Sequence, residues 1–452
     1  MRTCLIVISD LTFIRTNRLN LKFRYSLLLA TLVGATVARA ELQIDITQGV
    51  SDPIPIAVVP FADSAPLRGG VDLAAVVQHD LDGSGRFKSM LRPAMTAKPS
   101  RALDVVAADW HAAGIDYVLV GRVGAVAGER LSLDCDLVNA LTGQTLGTAR
   151  VMASTANLRA AAHQVSDFVF EKIIGTRGAF ATRIAYVAVD GTPPAQHYQL
   201  IIADADGENS QVVLDSRQPI MSPAWSADGQ WLAYVSFENR AAAIVVQQLR
   251  SGERRTVSAR VGVNQAPAWS PDGRRLALTL SGSGGNLDIY VLDLATQGLT
   301  RITDDPAIDT EPAWSADGAN LYFTSDRSGG PQIYRTDVAA HQRVQRVTFG
   351  SAYNARPQPS PDGRLLALVS REGSDYRIAV QDLANGNLRI LTRGNLDESP
   401  SFAPNGMSLI YAGRSGGRGT LATVAIDGQV SQRLKSDRGD VRAPVWGPFA
   451  GR

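Results

Sequence analysis

Cysteine is nearly absent from this sequence, and histidine is scarce. The 452 residues include two cysteines, Cys4 and Cys135, so no internal disulfide framework is predicted. Cys135 alternates with leucines along one face of a strand, which indicates a core position and not a nucleophile. The five histidines form no H-x-x-x-H pair. We therefore expect no metal site and no cofactor.

The sequence also lacks an excess of charge and long apolar runs. Its formal net charge is +2, without a basic run or an aromatic–basic stripe, which argues against a nucleic-acid partner. After the first forty residues, no apolar run is long enough to span a membrane. A chain of 452 residues is longer than one ordinary domain, and its length favours a two-domain protein.

Residues 1–40 have the organisation of a secretory signal peptide. Lys22 and Arg24 precede an apolar stretch over residues 25–37, and an A-x-A processing site ends at Ala40. We expect the mature chain to begin at Glu41 in an exported compartment. No cysteine stands at the cleavage point, so no lipid anchor is predicted.

What is abundant is a repeat. The motif PAWSADG at residues 223–229 returns at 267 and 312, with degraded copies at 357, 400 and 444. The leading prolines are 44, 45, 45, 43 and 44 residues apart. A period in the forties, with short apolar runs between turn signals, is typical of β-propeller blades.

Each repeat predicts four short strands. In the copy from residue 267, PAWS is followed by an Asp-Gly turn and then by LALTL, DIYVLDL and LTRIT. The last copy stops after one strand, and the three strands that it lacks are found at 183–189, 198–204 and 211–214. The sequence therefore predicts a six-bladed β-propeller over residues 183–452, closed by a blade split between both ends.

An α/β domain is predicted for residues 53–174, joined to the propeller by a linker at 175–182. Residues 56–61 form a short apolar strand, and a helix ends at Gly83. A second helix is predicted over residues 102–113 and a third near 158–169, with strands between them.

Residues 41–52 precede that domain and alternate apolar Leu42, Ile44 and Ile46 with polar residues. This is strand periodicity. One interpretation is an ordinary first strand of the domain. The other is a free strand that pairs with the sheet edge of a partner.

Several motifs that suggest catalysis have simpler explanations. Residues 413–417 match G-x-S-x-G, but they fall between two strands of a blade, whereas a nucleophile elbow needs a strand-to-helix turn. The recurring Asp-Gly pairs predict hairpin turns. Residues 204–207 (DADG) resemble the start of a calcium loop without the bidentate acid that such a loop requires, and a turn is predicted there too.

The residues immediately before each leading proline are expected to ring one mouth of the propeller channel, because the first strand of each blade lines that channel. A ring of short polar and charged groups on rigid strands suits a docking surface, although a merely solvated rim fits the same pattern. In order, the ring comprises Met221-Ser222, Gln265-Ala266, Thr310-Glu311, Ala355-Arg356, Asp397-Glu398-Ser399 and Arg442-Ala443.

Six features of the sequence point to one family: the signal peptide, ELQIDITQGV at 41–50, IAVVPF at 56–61, GIDYVLVGRV at 114–123, FEKIIGTRGAFATRIAYV at 170–187 and the PAWSxDG repeats. In these features the chain resembles the TolB family. These proteins are periplasmic components of the Tol–Pal system of Gram-negative bacteria. The resemblance covers residues 41–452. It implies a non-enzymatic adaptor, peripheral to the membrane through its partners and monomeric, that supports outer-membrane integrity and constriction during cell division.

The resemblance also implies two binding sites. The propeller mouth would bind Pal, the peptidoglycan-associated lipoprotein, and the N-terminal segment would bind TolA, an inner-membrane protein. The family's Pal contacts fall on Val263, Ala266, Thr310 and Glu311, and we add their neighbours in the ring, Asn264, Asp309, Arg356 and Glu398. The TolA-binding segment is expected at Glu41, Leu42, Gln43, Ile44, Asp45 and Ile46. The alternative is a propeller hydrolase acting on glycans or peptides.

Overall fold

The computed structural model describes residues 53–62, 71–127, 130–192, 194–282, 284–340, 343–436 and 439–450. This part of the chain forms one five-stranded sheet with three α-helices, followed by six four-stranded sheets. None of its helices has both the length and the apolar character needed to cross a membrane. The predicted TolA-binding residues, 41–46, lie outside the described residues.

The five-stranded sheet has the order β2-β1-β3-β4-β5, with β1 parallel to both of its neighbours and the other pairs antiparallel. Two short 3-10 helices, Arg92–Ala94 and Ala102–Asp104, join its elements. The elements in chain order are β1 (Ile54–Val58), α1 (Leu73–Gly83), β2 (Phe87–Ser89), α2 (Ala107–Ala112), β3 (Tyr117–Ala127), β4 (Arg130–Asn139), β5 (Thr145–Ser154) and α3 (Leu158–Ile174).

Strand β1 is buried on both faces, which explains its continuous apolar run. Ile56 and Val58 pack with α1 and α3, whereas Ala57 packs with Trp110 of α2 on the opposite face. Cys135 lies in the α1–α3 core and is 1% exposed, as its alternation with leucines indicated.

The predicted helix over 102–113 is wrong in its first half. The chain instead makes a 3-10 turn at Ala102–Asp104 and starts α2 only at Ala107. Val105 and Val106 between them have ψ angles of 112° and 89°, outside the helical region. Two consecutive β-branched residues favour such extended backbone over helix.

The six four-stranded sheets are antiparallel and form the blades of a propeller. Blades 1 to 5 run from β9 to β28 in chain order, four strands to a blade, and blade 6 consists of β29, β6, β7 and β8. The strands are β6 (Arg183–Asp190), β7 (His197–Asp204), β8 (Gln211–Ser216), β9 (Ile220–Trp225), β10 (Trp231–Ser236), β11 (Ala243–Gln248), β12 (Arg254–Ser258), β13 (Asn264–Trp269), β14 (Arg275–Ser281), β15 (Leu287–Asp293), β16 (Leu299–Arg301), β17 (Asp309–Trp314), β18 (Asn320–Ser325), β19 (Gln332–Asp337), β20 (Gln345–Arg346), β21 (Asn354–Pro359), β22 (Leu365–Glu372), β23 (Asp375–Asp382), β24 (Leu388–Ile390), β25 (Glu398–Phe402), β26 (Ser408–Ser415), β27 (Arg418–Ala425), β28 (Ser431–Arg433) and β29 (Asp440–Trp446).

Blade 6 contains strands that are far apart in the chain. Strand β29 pairs antiparallel with β6, from Asp440 opposite Val189 to Trp446 opposite Ile184. At its end, the Trp446 indole N–H donates to Thr182 Oγ1 at 2.8 Å. The next backbone N–H, of Gly447, donates to the Arg183 carbonyl at 2.7 Å.

The α/β domain contacts the end of the propeller where the Asp-Gly turns lie. Asn405, in the equivalent Asn-Gly turn of blade 5, donates through its side chain to the Arg177 carbonyl of the linker at 3.1 Å. Arg86 forms an ion pair with Asp427 at 3.4 Å in the turn between β27 and β28. The opposite end of the channel, where each innermost strand begins, is the mouth that the sequence indicated.

Candidate functional site

Each innermost strand carries a distorted residue directly before its leading proline. Nine described non-glycine residues have positive φ, and six of them occupy this one position. A residue before proline normally has extended backbone, and a non-glycine residue in the left-handed region costs about 1–2 kcal/mol. We call these six the rim residues: Ser222 (φ 51°), Ala266 (48°), Glu311 (56°), Arg356 (57°), Ser399 (56°) and Ala443 (46°).

A β-bulge at the same place in every blade accompanies this distortion. In every blade, the pairing of the innermost strand with the next strand shifts register around the rim residue and its proline, as between Gln265 and Ala268 or between Thr310 and Ala313. A bulge of this kind redirects the local backbone and its side chain. The rim residues and the segments that follow them line a cavity of about 490 Å³ along the propeller axis.

Side chains of blades 2 and 3 support this backbone in the blade that follows each of them. The backbone N–H of Glu311 donates to Thr279 Oγ1 of the preceding blade at 3.2 Å, and that of Arg356 donates to Thr324 Oγ1 at 3.1 Å. Thr279 and Thr324 hold equivalent places in LALTL and LYFTS. Their recurrence was a signal that the sequence contained and that we did not use.

Glu311 and Arg356 join three blades. The Glu311 carboxylate accepts from Thr324 Oγ1 at 2.9 Å, from the Arg356 backbone at 3.0 Å and from Arg356 Nε at 3.0 Å. Arg356 Nη1 also donates to Ser399 Oγ. Glu311 is therefore part of the rim's internal network, and its substitution would disturb the rim as well as any contact with a partner.

Two predicted contact residues do not have accessible side chains. Asn264 and Asp309 are each 0% exposed. Asn264 accepts from Ser258 and from the Arg260 backbone, and Asp309 accepts from Arg327 Nη2 at 2.9 and 2.8 Å. These positions, three residues before the leading proline, anchor the loops between blades, so their side chains support the rim from within.

Burial raises the pKa of Asp309 despite the hydrogen bonds from Ser325 and Arg327 that oppose this shift. Arg327 lies over the rings of Phe323 and Tyr334, 5.5 and 5.0 Å from their centroids, and is held in place by them. Sequence analysis did not identify Arg327, because no local motif links it to the channel.

The remaining predicted contacts are half-buried near the same mouth. Ala266, Glu311 and Arg356 line the channel together, and Thr310 Oγ1 lies 3.4 Å from Thr279 Oγ1. Val263 and Glu398 are half-buried and are not among the residues that line the cavity.

The motifs that suggested catalysis lie in turns. In blade 2, the Asp272 carboxylate accepts from the Ser270 hydroxyl and from the backbone N–H of Arg274 at 3.1 Å. Gly413 and Ser415 belong to β26, and Gly416 and Gly417 form the hairpin to β27. This is a strand-to-strand turn, which differs from the elbow that a serine nucleophile requires.

Known proteins match most of this chain. A family model described as the TolB beta propeller domain matches residues 170–450, and one described as the TolB amino-terminal domain matches residues 42–146. The chain belongs to the TolB family. Tol–Pal system protein TolB of Methylococcus capsulatus is 50% identical over 417 residues, which cover 92% of this chain and 96% of that protein. Its counterpart in Thioalkalivibrio sulfidiphilus is 48% identical over 427 residues, or 94% and 98% of the two chains.

A solved TolB has the same fold. The crystal structure of TolB from Acinetobacter baumannii matches with a TM-score of 0.83 and 41% identity, covering 90% of this chain and all of that one. The predicted six-bladed propeller with an N-terminal domain is thus confirmed, and the chain is a TolB-family component of the Tol–Pal system.

Proposed function

We propose that this TolB-family chain is a non-enzymatic periplasmic adaptor that binds Pal at the rim and TolA through residues 41–46. In this role it would link the peptidoglycan-associated lipoprotein to the inner-membrane machinery and support outer-membrane integrity and constriction. We propose the same organisation as above: a signal peptide over 1–40, a binding segment over 41–52, domains over 53–174 and 183–452, and a monomeric mature protein.

The observation that carries the Pal site is the ring of strained rim residues. Backbone strain of this kind persists only where the surrounding structure holds it, and it concentrates at ligand-binding and active sites. Here it recurs in all six blades and is held by threonines and by the Glu311–Arg356 network. A rigid, prearranged surface binds a partner with little loss of conformational freedom.

The chemistry of the rim favours docking over catalysis. Glu311, Arg356 and Ser399 use their side chains to bond one another. The serine and aspartate residues of the PAWSxDG turns bond their own backbone. These contacts leave a shaped, partly polar concave surface suited to a loop or helix end of a protein partner.

Capture of Pal by the mature protein tests the rim. Val263→Lys, beside the rim, should weaken capture because it places an unpaired ammonium group in the interface. Val212→Lys is the matched control, since Val212 is 39% exposed on the outer strand of blade 6. Both substitutions should change the free energy of unfolding by less than about 0.5 kcal/mol. Equal capture by both variants would remove the rim assignment.

Deletion of residues 41–52 tests the second site separately. The shortened protein should lose TolA and still capture Pal at wild-type affinity. Retention of TolA binding would contradict the N-terminal assignment while leaving the Pal site untouched.

A further inference from the structure

A buried group of charges spans the contact between helix α3 and the first hairpin of the propeller. It consists of His163 and Arg159 on α3, Asp80 on α1, and Asp204 and Asp206 at the turn between β7 and β8. The side chains of His163, Asp80 and Asp206 are 2%, 3% and 8% exposed. Charges buried this deeply are costly unless they are paired, so the arrangement calls for a physical role.

On the α/β side, the histidine ring is held in one orientation. His163 Nδ1 lies 2.7 Å from Asp80 Oδ2, and the same oxygen accepts from the Ser166 hydroxyl at 2.6 Å. Asp80 and Ser166 belong to the same domain as His163, so these contacts remain if the two domains separate. They direct the other ring nitrogen, Nε2, toward the propeller.

On the propeller side, Nε2 meets two carboxylates. It lies 3.5 Å from Asp206 Oδ2 and 4.0 Å from Asp204 Oδ2, and it has no hydrogen-bond partner. Arg159 Nη2 bonds Asp206 Oδ2 directly. Two contacts within the hairpin hold this turn in place. The Glu208 backbone N–H donates to Asp206 at 3.0 Å, and the Asn209 side chain donates to Asp204 at 2.7 Å.

We propose that this group is an electrostatic latch, in which the His163 and Arg159 cations of α3 hold the Asp204–Asp206 turn and thereby fix the α/β domain against blade 6. The proposal does not depend on which partner binds the rim. Blade 6 also contains β29, which runs from the rim end of the channel to Trp446, and Trp446 lines one cavity together with His79 and Phe170 of the α/β domain. The latch therefore secures blade 6, the blade in which the first and last strands of the propeller pair.

The charge of the histidine makes the latch sensitive to pH. Burial alone would lower the pKa of His163, but Asp80, Asp206 and Asp204 outweigh it and raise the pKa to about 9. Because Asp80 stays with His163 when the domains separate, only the part of this rise that Asp206 and Asp204 supply stabilises the docked arrangement. That part is present while His163 is protonated and is lost as the pH rises through about 9. His163 and Arg159 also act to lower the pKa of Asp206, against its burial, so Asp206 stays ionised in mild acid.

Other charged groups near the latch come from every element that packs against it. Asp167 of α3 interacts with Asp80, and Arg183 of β6 interacts with Asp204. Lys435, after β28, pairs with Glu208 at 3.3 Å. These groups flank the cluster, whereas His163 and Arg159 are the cations that reach the turn from the α/β domain.

A divalent metal ion is the competing occupant. His163, Asp80 and Asp206 are metal-ligating types whose donor atoms lie within 4.8 Å of one another. A metal ion on Nε2 would have to displace a proton and share Asp206 with the Arg159 guanidinium, both of which oppose its binding. The observed contacts therefore favour the imidazolium.

The latch is tested by the distance between two spin or dye labels on the full mature protein. Labels at Leu141→Cys and Val261→Cys report on the two domains, since these residues are 69% and 99% exposed. The distance should be narrowly distributed at pH 7 and broaden above about pH 9. His163→Gln should broaden the distance distribution at pH 7 and remove its pH dependence. The equilibrium constant for separation of the two domains should rise about tenfold for each unit by which the interdomain contacts raise the pKa of His163.

His79→Gln is the matched control. His79 lies at the same domain contact, with Nε2 3.0 Å from the Gln432 side chain, but outside the charged cluster. It should behave like the parent. If His163→Gln fails to fold, Asp206→Asn repeats the test from the propeller side and leaves the Asp80–His163 pair intact. An unchanged distribution in these variants would overturn the latch, and so would broadening by EDTA at pH 7 that zinc reverses.

Discussion

The rim strain can be measured by removing a single methyl group. Ala266 has φ of 48° directly before Pro267, where its Cβ opposes the left-handed backbone. In Ala266→Gly that conflict disappears, a gain of about 1–2 kcal/mol. Glycine also raises the entropy of the unfolded chain, which costs about 0.5–1 kcal/mol. The half-buried methyl group contributes at most about 0.8 kcal/mol through burial. The net change in the free energy of unfolding should therefore lie between a loss of about 0.8 and a gain of about 1.5 kcal/mol.

Ala268→Gly, two residues along the same strand, is the matched control. Ala268 is not among the positive-φ residues and packs against the core between blades 2 and 3. The substitution there loses burial and adds unfolded-state entropy without relieving strain, so it should destabilise by about 1–2 kcal/mol. Urea unfolding followed by tryptophan fluorescence measures both values. If the two variants lose the same stability, the backbone at Ala266 is not strained and the argument for a prearranged rim fails.

Three further predictions concern the rim, the sixth blade and the core. A double-mutant cycle with Glu311→Gln and Arg356→Gln should give a coupling of about 0.5–1 kcal/mol in unfolding, because both side chains are partly exposed; additive losses would mean that the pair does not join its blades. Truncation after Gly439 removes β29, and the resulting protein should melt at clearly lower temperature or aggregate through the open edge of β6; a truncated protein as stable and monomeric as the parent would contradict this. Burial raises the pKa of Cys135 to about 12, so a disulfide reagent at pH 8 should modify it only when the protein is unfolded, and rapid labelling of the native protein would show that the core opens locally.

The sequence predicts the propeller well because its signals are local and repeat. Each PAWSxDG motif combines a strand, a turn and an apolar second strand within a dozen residues. The intact copies establish the period by which the degraded copies are recognised. The helix predicted over 102–113 is too long because the consecutive β-branched residues Val105 and Val106 favour extended backbone, a preference that the helix prediction did not include.

The strained rim and the latch could not be predicted in the same way. Left-handed backbone before proline contradicts the residue's own preference, so Ala266 or Arg356 reads as ordinary strand until the bulge is seen. The latch joins Asp80, His163 and Asp206 from three separate segments, and only the folded arrangement brings them together. The spacing of the histidines along the chain does not indicate this cluster.

The construction of blade 6 has a consequence for the speed of folding. Blades 1 to 5 pair strands that are close in the chain, so each can form as soon as its own residues are available. Blade 6 must bring together groups such as the Gly439 N–H and Asp190, which are 249 residues apart. Contacts at such separation form slowly, because the intervening chain must lose conformational entropy before the strand pairing offsets that cost. We therefore expect a late folding step, during which β6 exposes an unpaired edge and the protein is most prone to aggregate.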